Sequence, residues 1–122
     1  MKITKIEDFE IWKEAVELVI LVYQVIKKTN LKNDFVLNDQ IKKSVISIPS
    51  NIAEGFERSN NTEFKRFLII AKGSSGELRV QFYLAFKLNL IDEVNYRLIN
   101  DKIIRLSSKI SNLISYLRKN KK

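Results

Sequence analysis

Seven apolar residues in the last third of the chain, Tyr96, Ile99, Ile103, Leu106, Ile110, Leu113 and Leu117, follow one another at alternating steps of three and four. That spacing brings every one of them to a single face of an α-helix and to neither face of a strand. A heptad seam this regular calls for other helices to bury it. Turn-forming residues are scarce: the 122 residues include one proline and three glycines, too few for a many-stranded sheet. The fold class expected is all-α, a single antiparallel up-down-up-down four-helix bundle spanning residues 1–122.

Three further helices precede the seam. The first, about 8–28, carries two adjacent apolar stripes. Phe9, Trp12, Val16, Val19, Tyr23 and Ile26 form one; Ile11, Ala15, Leu18, Val22 and Val25 form the other. Packing within a bundle needs one stripe. The second is expected to meet another subunit, the alternative being a helix buried on more than one side. The segment "TNLKND" then offers turn and N-cap chemistry.

The second helix, about 38–57, contains the loop-like stretch "SIPSNIAEGFERSN". Ile41, Val45, Ile48, Ile52 and Phe56 nevertheless stay in helical phase through Pro49. A kinked helix is therefore expected, with one backbone bond lost, that to the carbonyl of Val45. Its opposite face collects Lys43, Ser47, Ser50, Asn51, Glu54 and Arg58. Such small polar groups suit a close neighbour and hydrogen bonds across the gap better than free solvation. Gly55 is read as serving the helix end.

Asn60 and Glu63 have capping-box spacing and open the third helix, about 61–89. Phe64, Leu68, Ala71, Ser75, Leu78, Phe82 and Ala85 make its stripe. Its middle, "AKGSSGE", lacks the order of a phosphate-binding loop and follows no strand. Gly73, Ser74, Ser75 and Gly76 are read instead as a thin waist against a neighbouring helix. Asp92 is the expected cap of the fourth helix, about 93–118.

Composition narrows the chemistry. Without cysteine or histidine the chain has no disulfide, thiolate nucleophile or imidazole base, and most zinc sites are excluded. No metal, cofactor or catalytic residue is expected. The charged N-terminal residues do not resemble a signal peptide, and the longest apolar run, Leu18 to Tyr23, is too short to span a bilayer. A cytoplasmic protein is expected. The net charge of +8 is unevenly spread. Residues 1–34 hold six basic and six acidic side chains and residues 35–58 three of each, so all the excess follows residue 58.

"SIPSNIAEGFERS" and "AKGSSGEL", preceded by "LNDQIKKSVISIP", resemble the signature of the bacterial four-helix-bundle proteins associated with 23S rRNA intervening sequences. The likeness runs from "FEIWKEA" into the fourth helix. The motif positions fall on Ser47, Ile48, Pro49, Asn51, Ala53, Glu54, Gly55, Phe56 and Arg58, then on Ala71, Gly73, Ser74, Glu77 and Leu78. Gly76 departs from the pattern, standing where the family more often has a larger residue. The resemblance implies a ring-like homo-oligomer, a pentamer, with a basic surface proposed to bind nucleic acid; it implies no activity.

Two functions follow. In the first, Lys65, Lys72 and Arg79, repeating every seven residues, join Lys102, Arg105 and Lys109 in contacting RNA phosphates. In the second, the chain is a protein-interaction or scaffold module whose basic charge only solvates it. An enzyme is not expected. Glu54 and Glu77 are the only carboxylates inside the motifs, and ion pairing with Arg58 or Lys72 is their expected fate.

Overall fold

The computed structural model describes residues 5–120; the first four residues, and the last two of the basic "RKNKK" tail that sequence suggests is frayed, lie outside them. Four helices follow in order: α1, Glu10–Lys28; α2, Phe35–Phe56; α3, Asn61–Lys87; and α4, Glu93–Lys119. Single 3-10 turns, Ile6–Asp8 and Asn30–Asn33, precede α1 and α2. No strand occurs among the described residues.

Contacts between helices fix their directions. Phe9 stacks on Phe56 at 5.8 Å and Lys42 lies over the Tyr23 ring, so α1 and α2 run antiparallel. Ser47 meets Ser74 while Gly55 meets Phe64 and Phe67, which reverses α3 against α2. Phe86 stacks on Tyr96, and Asn61 reaches the Asn120 carbonyl, so α4 reverses again. Lys109 bonds Glu14 and closes the circuit from α4 to α1. Each helix packs on the two beside it, with α1 and α3 on one diagonal.

Inside lies one apolar core that includes Leu18, Val22, Ile48, Ile52, Leu68, Leu78, Phe82, Ile103 and Ile110. The α4 seam is its cleanest wall: Ile99, Ile103, Leu106, Ile110 and Leu117 are buried. On α1 the two stripes exchange the roles expected of them. Ala15, Leu18, Val22 and Val25 face the core, whereas Trp12, Val16 and Val19 are half-buried and Tyr23 is exposed. Periodicity shows that two stripes exist and not which one the bundle takes.

The helix ends follow capping chemistry. Asp34 accepts from the Leu37 amide at 3.0 Å, so α2 begins three residues before the expected Asn38. It then continues unbroken through Pro49 to Phe56. Asn60 accepts from the Glu63 amide at 2.8 Å, while Glu63 turns to Arg66. That bond, with the Arg66 charge beside it, holds the Glu63 carboxyl below its ordinary value. Asn89 takes a left-handed φ of 60° and ends α3, two residues short of the expected limit. The Leu90 amide donates to Ala85 and the Asn89 amide to Phe86, a Schellman closure with asparagine in the usual place of glycine. The Asp92 carbonyl accepts from the Tyr96 amide at 3.0 Å, but its side chain makes no cap bond to an α4 backbone amide; it accepts from the Asn95 side chain, which lowers its carboxyl pKa.

Candidate nucleic-acid interface

Of the small polar face of α2, Ser47 and Asn51 make the junction with α3, whereas Lys43, Ser50 and Glu54 are exposed, Ser50 donating to the Ile46 carbonyl of its own helix. Ser47 and Ser74 join hydroxyl to hydroxyl at 2.8 Å, and Asn51 donates to both the Ser47 carbonyl and its Oγ, each at 2.9 Å. Ser74 is buried, so this junction satisfies polar groups that the core would otherwise strand. One turn further on, Arg58 donates to Glu54 at 2.9 Å and lies 4.9 Å from the centre of the Phe67 ring. Arg66 stacks on the same ring at 4.6 Å. Most of the motif is thus the seam between α2 and α3, a structural role.

The glycines divide differently from the expectation. Gly55 does not end its helix through a left-handed turn: no glycine has positive φ. It is buried, and a β-carbon there would lie 2.8 Å from Phe67 Cβ and 3.1 Å from the Phe64 carbonyl oxygen. Only a hydrogen fits under the start of α3. Gly73 and Gly76, expected at a close contact, have nothing within 4 Å of where a β-carbon would stand. They face outward, and the buried pair in that stretch is Ser74 and Ser75. Glu77 is exposed and forms no ion pair with a described residue, so the expected link to Lys72 is not made.

The six candidate cations form two rows and not one patch. Lys65, Lys72 and Arg79 lie on the flank of α3 nearest α4, none of them bonded to a described carboxylate. Lys102 and Arg105 line a surface hollow on α4 with Leu98, Asp101 and Ile104. Lys109 is engaged: its ammonium sits 2.7 Å from Glu14 and ties α4 to α1. The outward face of α4 separates the rows. Arg66, which the sequence reading did not nominate, is held by Glu63 and the Phe67 ring. A second concavity of about 520 Å³ opens at the end of the bundle among Phe9, Phe56, Arg58, Asn60, Phe64 and Tyr116.

Among the described residues no cluster of three His, Cys, Asp or Glu side chains could hold a metal ion, and no helix is long and apolar enough to cross a membrane.

These features define a four-helix bundle in which the α2 motif and Ser74 serve helix packing while Gly73 and Glu77 of the α3 motif face outward. The chain belongs to the 23S rRNA-intervening sequence protein family, whose model matches residues 7–112. It is also similar to a crystal structure of a protein with unknown function from the S23 ribosomal protein family of Bacteroides thetaiotaomicron VPI-5482. The two share 20% identity and a TM-score of 0.78, over 85% of this chain and 97% of that one. At that identity the likeness shows the fold. No curated protein matches the chain.

Proposed function

We propose that this chain is a non-enzymatic, homo-oligomeric bundle that binds structured RNA through its basic α3–α4 side. The observation that carries the reading is the pair of basic rows. Lys65, Lys72 and Arg79 on α3, with Lys102 and Arg105 on α4, are five cations without an ion-pair partner among the described residues. Lys27, Lys28, Lys32 and Lys42 in the charge-balanced half also form no ion pair with a described residue, so what sets the α3 and α4 cations apart is their alignment in rows within the half that holds the excess charge. Cations left unmatched are available to phosphates, and repetition in a ring such as the implied pentamer multiplies a modest patch. The chain's cytoplasmic setting and its lack of catalytic chemistry are parts of the same proposal.

A fluorescence-anisotropy titration against a structured RNA, repeated across salt concentrations, tests it. Lys102→Glu with Arg105→Glu should weaken binding for all sequences alike and flatten the salt slope by about 2. Lys28→Glu with Lys43→Glu, in the balanced half, should change it little. Equal losses from both pairs, or no binding at low salt, would overturn the RNA reading.

The scaffold reading keeps one specific observation in its favour. The outer face of α3 is apolar, with Ile69 at 49%, Ile70 at 43% and Val80 at 60% exposure.

A further inference from the structure

On the outer side of α3, Ile69, Gly73, Gly76, Val80 and Tyr83 recur at steps of four and three, opposite the stripe that faces the core. This is a second heptad seam, met within the chain at its end, where Tyr83 packs edge-on against Tyr96 of α4. Two glycines in the middle of a 27-residue helix weaken it, and no described residue comes within 4 Å of where their β-carbons would stand. The approach they allow must come from outside.

A matching face exists on the diagonal helix. The outer side of α1 presents Lys13, Val16, Ile20, Tyr23 and Lys27 at steps of three and four, with Ile20 53% exposed. Its flank carries Glu10 and Glu17, seven residues apart like the basic row of α3. Following the α1–α2 and α2–α3 contacts around the bundle sets α1 and α3 in the same direction and gives their levels. By that path Val16 lies within a residue of Gly73 and Ile20 at Gly76, and the path through α4 sets each about three residues further along α3. Glu10 falls between Lys65 and Lys72, and Glu17 between Lys72 and Arg79.

We propose that the outer face of α1 in one copy docks, parallel and level, on the outer face of α3 in the next. Val16 and Ile20 fill the notch over Gly73 and Gly76, and the acidic row interleaves with the basic one. Charge selects the direction. In the parallel pairing the acidic flank of α1 and the basic flank of α3 lie on the same side of the seam, and the Trp12–Val16 flank meets Ile70. An antiparallel pairing would set the basic row of α3 against Trp12 and Tyr23. A parallel pairing without axial shift is a heterologous contact, and it closes into a ring where the rotation from one copy to the next divides a full turn. The same pairing takes up Lys65, Lys72 and Arg79 in the interface and keeps every α4 on one side of the seam, so that in the assembly Lys102 and Arg105, recurring along one wall, are the cations left for phosphate. This inference rests on the homo-oligomer half of the proposed function and not on RNA binding.

Sedimentation velocity of the full chain and its variants tests it. E17K and K72E should each weaken self-association by about tenfold or more, and the double variant E17K/K72E should recover most of that loss. G76L, checked by circular dichroism to be folded, should also dissociate the assembly, whereas K102E/R105E should leave it intact. If the wild type assembles but is indifferent to E17K and K72E, or the double variant merely adds their losses, this interface is wrong while assembly stands. A monomeric wild type would overturn both.

Discussion

A β-carbon added to Gly55 would press on the backbone carbonyl of Phe64 as well as on the Phe67 side chain. A side chain can rotate away, but a carbonyl inside a helix cannot, so α2 and α3 would have to move apart. Gly55→Ala removes the glycine's helix penalty, about 1 kcal/mol, but adds overpacking that typically costs about 1–3 kcal/mol. The variant should lose about 1 kcal/mol in urea denaturation, whereas Gly73→Ala, whose β-carbon meets nothing within its own chain, should stabilise the isolated bundle by a similar amount. A Gly55→Ala protein more stable than wild type would contradict the close approach. The same residues show where sequence reading stops. Ser47 and Asn51 were legible as groups that bond across a close gap, and Ser74 as part of a close-packed waist, but nothing local paired the two. The three glycines were not separable, since each one's reason lies in what faces it, and that is set by residues far along the chain.

Helices were the most legible level, for periodicity states directly which side chains share a face. The α4 seam and the run through Pro49 needed no tertiary information. Boundaries were less so: Asp34 and Asn89 act through one hydrogen bond or one left-handed residue, and neighbouring asparagines and aspartates compete for each role. Asp92 is such a case, its carboxylate taken by the Asn95 side chain and not by a backbone amide. The proline is the element-scale test. Pro49 cannot donate to Val45, and a proline within a helix costs about 3 kcal/mol, part of it recovered through a stiffer unfolded chain. Pro49→Ala should therefore leave the fold unchanged, straighten α2 and raise stability by about 1–2 kcal/mol, read from thermal unfolding and a crystal structure. A destabilised variant would mean that the packing of α2 depends on the proline.

At the scale of the molecule, the four-helix class and the family were legible, while the location of the exposed apolar faces was not. Both stripes of α1 are equally regular in sequence, and the one expected to meet a neighbour became the core stripe. The outer seam of α3 escaped notice because its centre is glycine, which no apolar pattern registers. Once the bundle is closed, Ile20, Ile69, Ile70 and Val80 remain exposed on opposite corners with complementary charge rows beside them. That arrangement is the reason to regard the folded chain as one part of a larger body. Light scattering coupled to size exclusion at micromolar concentration tests this claim most directly. The account predicts one species whose mass is a whole multiple of 14.3 kDa, five-fold for the ring that the family resemblance implies. A single peak at the mass of one chain, unchanged as concentration rises, would contradict it.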